Sequence, residues 1–131
     1  MNAPSEDIKD MLEDTSALGL TFATNLFIGK EPAEPDTCVT IFDTPGFPPS
    51  LTLSGDGGYY YPSVQIRVRG ADYVTGWDLI HDIMIALHGK DHETWNATLY
   101  TVISCSSGPA LLDWDENSRP RFIVNFNIQR R

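Results

Sequence analysis

Tyr59-Tyr60-Tyr61-Pro62-Ser63-Val64-Gln65-Ile66-Arg67-Val68-Arg69-Gly70-Ala71-Asp72-Tyr73 is the stretch on which the fold turns. From Ser63 to Arg69 apolar and polar side chains alternate. That period of two places Val64, Ile66 and Val68 on one face of a strand and Gln65, Arg67 and Arg69 on the other. Gly70 and Ala71 then supply a turn, and Asp72 stands where a helix N-cap is needed. Beyond it Tyr73, Trp77, Ile80, Met84 and Leu87 recur at spacings of three and four, which predicts a helix laying one stripe on a sheet. Gly89 offers the left-handed residue that ends such a helix, with Lys90 following. A strand feeding an amphipathic helix is the central unit of a two-layer α+β domain. The stripe reads as core, not as a cofactor-binding surface.

Outward from this unit, the clearest second strand closes the chain. Phe122, Val124, Phe126 and Ile128 alternate with Ile123, Asn125, Asn127 and Gln129, and Arg130 and Arg131 follow. Trp95 to Cys105 carries apolar residues on both faces, as an inner strand does. Residues 106–120 read as a long loop holding Asp113, Trp114, Asp115 and Glu116. On the N-terminal side, Cys38 to Phe42 is a β-branched and aromatic strand. It is expected to stop at Asp43-Thr44-Pro45-Gly46, where proline presets a turn and glycine permits positive φ.

Residues 47–61 hold Pro48, Pro49 and Gly55-Asp56-Gly57-Gly58, and no regular element fits them. A loop this long in a compact domain carries function more often than not. Its apolar members Phe47, Leu51 and Leu53 predict an arm that folds against a partner, the alternative being a loop packed on its own domain. Thr21 to Ile28 predicts a strand through Phe22, Leu26, Phe27 and Ile28, and residues 31–36 a proline-bearing connection. Near the start, Ser5 is the expected N-cap of a short helix, with Glu6 and Asp7 in its first turn and Ile8, Met11 and Leu12 on one face. The expected fold is α+β: a mixed, mainly antiparallel sheet of about four to five strands, one long and one short helix packed on it, and long loops.

A chain of 131 residues is read as a single domain spanning 1–131, able to bury about two-thirds of its unfolded surface without a disulfide or metal. Cys38 and Cys105 lie in apolar, strand-like runs and are expected as unbridged core thiols. The acidic start lacks the regions of a signal peptide, and no apolar run approaches the roughly 20 residues of a membrane span. The reading is a soluble, intracellular protein with no membrane partner. Its net charge of -9 is uneven: residues 1–50 hold nine acids against two lysines, residues 101–131 three acids against four arginines. Such a chain repels free nucleic acid, which argues against phosphate-driven binding. The asymmetry suits head-to-tail contact between copies.

Sites for chemistry are sparse. His88, Asp91, His92 and Glu93 crowd past the helix end, but Gly89 breaks the helical face that zinc binding at that spacing requires. Asp113, Asp115 and Asn117 imitate the start of a calcium loop, yet Ser118 stands at its turn glycine and Val124 at its bidentate glutamate. The glycines at 55–58 lack the lysine and helix of a phosphate loop. Asn96-Ala97-Thr98 is a glycosylation triplet expected to arise by chance. No serine or cysteine lies in a nucleophile motif. No catalytic, cofactor-binding or metal-ligating residue is therefore assigned.

Three stretches carry a resemblance. The first is Leu26-Phe27-Ile28-Gly29-Lys30 with Pro32, Val39 to Asp43 and Thr44-Pro45-Gly46. The second is Tyr61 to Gly70 leading into Asp72-Tyr73, and the third is Leu112, Asp115-Glu116, Arg119 and the closing Phe122 to Ile128. In this order they resemble the minor capsid proteins of tailed bacteriophages that act as tail terminators, also called tail completion or neck proteins. The resemblance implies a homo-oligomeric, hexameric ring at the head-proximal end of the tail tube. Such a ring caps tube polymerisation and contacts both the tube protein and the connector or neck proteins, while DNA passes through the lumen unread. It implies a virion protein, present in the host cytoplasm during assembly, without a cofactor. A head-completion adaptor or stopper of the neck is the near alternative, and a metal-dependent hydrolase using His88, Asp91 and His92 the distant one.

On this reading Phe47, Leu51, Leu53, Leu111, Trp114, Asp115 and Glu116 reach neighbouring subunits or adjoining rings. Arg119, Arg121, Arg130 and Arg131 are expected to meet acidic surface on a neighbour. Loops with apolar residues and polarised charge are what heterologous assembly requires.

Overall fold

The computed structural model describes residues 1–51 and 58–131. Helix α1 (Pro4–Asp14) and a single 3-10 turn (Ser16–Leu18) lead into strands β1 (Leu26–Ile28), β2 (Cys38–Phe47) and β3 (Tyr61–Arg69). Helix α2 (Tyr73–Leu87) follows, and then β4 (Asp91–Trp95), β5 (Thr98–Trp114) and β6 (Pro120–Arg130). The strands form one six-stranded sheet in the order β1-β2-β3-β6-β5-β4, antiparallel except for the β1–β2 pair. The α+β reading holds, with more strand than expected.

The central register explains the two-faced character of the sheet. Val64, Ile66 and Val68 stand opposite Phe126, Val124 and Phe122, while Ile41 and Val39 stand opposite Ile66 and Val68. These side chains share the face covered by α1 and α2, where Ile8, Met11, Leu12, Ile80, Ile83 and Leu87 meet them in one core. The other face stays open and is laced by polar bonds: Ser63 Oγ donates to Asn127 (2.9 Å), Gln65 to Asn125 (3.1 Å), and Asn125 to Ser107 Oγ (2.8 Å). Arg67 lies over the Phe42 ring, 4.7 Å from its centroid.

Several boundaries differ from the expected ones, each for a local reason. Helix α1 starts at Pro4, which needs no N–H and has its φ preset for the first turn. Ser5 therefore lies inside the helix, and its N–H and Oγ donate to Asp43 (3.0 and 2.6 Å), tying α1 to β2. Asn25 turns residues 21–25 away from strand geometry by accepting from Thr21 N–H (2.7 Å) and donating to the Gly19 carbonyl (3.1 Å). Strand β2 does not stop at Asp43: Pro45 lies on a sheet edge, and a bulge between Thr44 and Phe47 carries the strand onward. Gly46 lies so close to β3 that a Cβ there would collide with the Tyr61 carbonyl.

The run expected as one strand from Trp95 to Cys105 is split by a two-residue turn. Asn96 and Ala97 both have positive φ (50° and 63°), the geometry that matches strand twist in a tight hairpin. Residues 106–114, expected in a loop, continue β5 instead. Four register shifts along β5 scramble its alternation, which is why the sequence shows no period there. Asp72 does cap α2, accepting from Thr75 N–H (2.8 Å), and Gly89 has φ +87° beyond the helix end. The buried line of α2 is Gly76, Ile80, Ile83 and Leu87, one position round from the expected stripe. Tyr73 and Trp77 are left at its exposed margin. Cys38 and Cys105 are free, the first buried and the second half-buried.

Candidate functional site

The contact residues named from sequence fall into two groups. Pro120 and Arg130 mark the two ends of β6, ten steps apart, so roughly 30 Å of strand separates them. Leu111, Trp114, Asp115, Glu116, Arg119 and Arg121 gather at the β5–β6 tip. Phe47, Leu51, Arg130 and Arg131 gather at the opposite end, where Tyr60 and Arg130 exchange backbone hydrogen bonds of 2.7 and 3.0 Å. Leu53 lies outside the described residues.

The tip is organised by charge within the chain. Asp115 accepts from the N–H groups of Asn117 (3.0 Å) and Arg119 (2.8 Å), closing the turn, and from Arg119 Nε (2.7 Å). Burial works against ionising Asp115, but these donors outweigh it and hold its carboxyl below the usual range. Arg119 Nη1 also reaches the Ala33 carbonyl (2.9 Å) and Asp36 (3.0 Å). Arg121 grips Asp113 with two bonds of 2.6 Å, and this hydrogen bonding lowers the Asp113 pKa. Beneath them the buried Arg69 donates to Glu31 (2.9 Å) and to the carbonyls of Pro32 (2.6 Å), Pro35 (2.6 Å) and Asp36 (3.2 Å). An open cleft of about 390 Å³ lies between residues 31–33 and the tip, with Trp114 on its wall.

Beside the cleft, on the helix side, an apolar patch is exposed. Tyr73 stacks near Trp114 (centroids 6.4 Å apart) and edge-on to Phe122 (5.0 Å), and Trp77 meets Phe122 at 6.0 Å. Phe122 is buried, whereas Tyr73, Val74, Trp77, Leu111 and Trp114 reach solvent. Exposed Trp and Tyr around a packed ring is the composition of an interaction surface. Sequence reasoning placed Tyr73 and Trp77 in the core and missed Val74. The available signal was a helix apolar on more than one side, since Val74 and Ile85 are also exposed.

The other end is an arm. Ser50 N–H bonds to the Tyr59 carbonyl (3.0 Å) and Ser50 Oγ to Tyr61 OH (3.2 Å), so the described parts of the arm lie side by side. Phe47 is 74% exposed and Leu51 99% exposed. Arg131 stacks over the Tyr59 ring at 5.3 Å.

Three of the four arginines expected to meet a neighbour have partners in their own chain. Arg119 and Arg121 belong to the tip network just described. Arg130 is buried, with Nη1 on the Asn2 carbonyl (3.0 Å) and Tyr100 OH (3.1 Å), and 3.6 Å from Asp7. Asp7, fully buried, accepts from Tyr100 OH and from Asn96 Nδ2 (2.7 Å), which fixes α1 against the sheet. Of the four, Arg131 is the one whose residue is exposed overall.

His88 Nδ1 accepts the Cys105 N–H (2.9 Å), and Asp91, His92 and Glu93 run along β4. Among the described residues no cluster of three or more His, Cys, Asp or Glu side chains could hold a metal. No described helix is long and apolar enough to cross a membrane.

Comparison with known proteins adds two findings. A family model described as "Bacteriophage tail terminator protein" matches residues 6–131. Among solved structures, the fold is similar to that of a chain in "Virion of native gene transfer agent (GTA) particle". The TM-score is 0.70, covering 98% of this chain and 94% of that one at 14% identity, a likeness of fold. No curated protein sequence matches.

Proposed function

We propose, from the premise that this chain belongs to the bacteriophage tail terminator family, that it builds a hexameric ring closing the head-proximal end of a tail tube. The ring stops tube polymerisation and joins the tail to the connector, while DNA crosses the lumen without sequence-specific contact. The protein acts in the virion, after assembly in the host cytoplasm, and its role is structural rather than enzymatic.

The observation that carries this reading is the family match over residues 6–131. The surface supports it. Two unlike apolar areas, the arm with Phe47 and Leu51 and the patch around Trp114, sit at opposite ends of one sheet. Unlike surfaces on one subunit generate head-to-tail contacts, which close into a ring when the rotation permits.

Removing the protein from an assembling particle tests the reading. A terminator predicts tubes of uncontrolled length that fail to join heads. Tails of normal length that fail to join heads would favour the neck adaptor, and intact infectious particles would reject both.

A further inference from the structure

We infer that the sheet continues from one copy to the next: the margin of one copy that carries β1 and Phe22 seats along its neighbour's bare β5 edge at residues 110–114. This joint is one within the proposed ring and rests on that reading.

The two margins of the sheet are stepped in opposite senses. On one margin β1 flanks β2 at residues 39–41, while residues 44–47 have β3 on one side and no described strand on the other. On the other margin β4 flanks β5 at residues 98–102, while residues 110–114 have β6 on one side and no described strand on the other. Across the sheet the registers run Leu26, Val39, Val68, Phe122 and Leu111, so β1 stands level with the bare part of β5. Tyr60, Arg130, Tyr100 and Glu93 form a second such line, so β4 stands level with the bare end of β2. What one margin adds, the other lacks. Two copies side by side in the same orientation therefore interlock, with β1 of one antiparallel to β5 of the next. One copy cannot do this alone, because its margins stand five strand spacings apart, about 24 Å.

The side chains suit this joint. Ala110, Leu111 and Leu112 are exposed and uncharged on a strand edge, the condition under which an edge pairs with another chain. The outermost strand on that margin is guarded instead, since β4 opens with Asp91, His92 and Glu93. On the β1 margin Phe22 bridges to Leu26 and reaches solvent, with Lys9 4.8 Å over its ring. Asn25 and Gly29 bond to β2 (2.9 and 2.8 Å), so alternation turns the N–H and carbonyl of Ile28 outward, one rung from the level of Ala110. Phe22 thus meets Leu111 and the exposed Val74 on the helix side of the sheet.

Charge sets the polarity of the joint. Lys9, held by Asp10 at 3.1 Å, and the exposed Lys30 stand on the β1 margin. Asp72, Asp78 and Asp91 are exposed on the β5 side. These charges orient the encounter, and the apolar contact holds it. Two β5 margins brought together would face acid with acid.

The test disables each margin in turn. Phe22→Asp alters the β1 side and Leu112→Asp the β5 side. Thermal melting checks folding, and Ala110→Asp replaces Leu112→Asp should that chain unfold. In sedimentation velocity each variant alone should lose self-association by at least tenfold relative to the unaltered chain. An equimolar mixture should form 1:1 dimers and nothing larger, since one intact margin of each kind remains. Phe22→Cys and Leu111→Cys in one chain, with Cys105→Ala to remove the half-buried thiol, should oxidise to a ladder of disulfide-linked oligomers. Either cysteine alone should give no ladder.

Rings formed by either aspartate variant alone, or rings of the doubly substituted chain that give no ladder, would overturn the joint while leaving the ring reading standing. An unaltered chain that stays monomeric at every concentration, and also on tube ends, would overturn the ring reading and the joint with it.

Discussion

Gly76 and Phe122 are in contact so close that no side chain fits between them: a Cβ built on Gly76 would stand 2.6 Å from Phe122 Cε2 and 2.9 Å from Cδ2. The first turn of α2 thus rests directly on the ring that Tyr73 and Trp77 flank. Gly76→Ala gains about 1 kcal/mol of helix propensity but overpacks this contact at a cost of about 1–3 kcal/mol. The net expectation is a melting temperature lower by several degrees, partly restored by Phe122→Leu in the same chain. An alanine variant melting at or above the parent temperature would refute the close-contact account.

Tyr100 gives the protein an alkaline limit. Burial first, and then its bond to Asp7, push the phenol far above the ordinary value of about 10. The folded state therefore holds the proton more tightly than the unfolded one. Stability from this group is whole below pH about 10 and is lost as pH rises towards the raised value. Urea midpoints measured between pH 9 and pH 11.5 should fall, and fall less steeply in Tyr100→Phe. That variant should itself lose about 1–3 kcal/mol at neutral pH, because Asp7 and Arg130 each lose a partner.

The tip network sets the acid side. Asp113 and Asp115 have folded pKa values below their ordinary one, so their contribution is present above pH about 4 and is lost as pH falls through the lowered values. The side chain of Asp113 is 44% exposed, and solvent screens it, whereas that of Asp115 is 8% exposed. Denaturant midpoints between pH 4 and pH 2 should therefore flatten more in Asp115→Asn than in Asp113→Asn. The opposite ranking would count against the turn-closing role of Asp115.

Arg69→Lys keeps the charge but not the planar fork. Arg69 holds Glu31 and three backbone carbonyls at once, and an ammonium group cannot reach them all. A loss of about 1–3 kcal/mol is expected, with faster amide exchange confined to residues 31–36 and the tip. Exchange unchanged in those residues would show that Arg69 is not what orders them.

Strands β3 and β6 and helix α2 were legible because their periods are unbroken: one face of each is dry and the other is not. Strand β5 was not, since each of its bulges resets which side faces the core, and the apolar residues at 110–112 no longer alternate. Pro45 and Gly46 misled for a related reason, as they punctuate a turn in most sequences but tolerate the bulged edge of a strand here. The arm and tip could be located from apolar residues among turn-formers. What the one-dimensional pattern could not carry was the fate of the arginines. Arg119, Arg121 and Arg130 look alike in sequence, but the tip brings Asp115 and Asp113 to the first two, residues 31–36 add Asp36 and Glu31, and Asn2 and α1 meet the third across the sheet. Val74 and Trp77 were hidden by a helix whose apolar residues run round most of its circumference.

The bond from Arg130 Nη1 to the Asn2 carbonyl brings the two chain ends near each other, and the Arg130 backbone pairs with Tyr60 at the root of the arm. Any purification handle or fluorescent reporter fused at either end would thus emerge at the root of the arm. Such a fusion should act as a steric plug, yielding well-folded single subunits that poison growth of the assembly when mixed with untagged chain. An insertion at the exposed 117–118 corner would emerge at the opposite end of β6, so comparing the two fusions shows which end of the sheet assembly needs free.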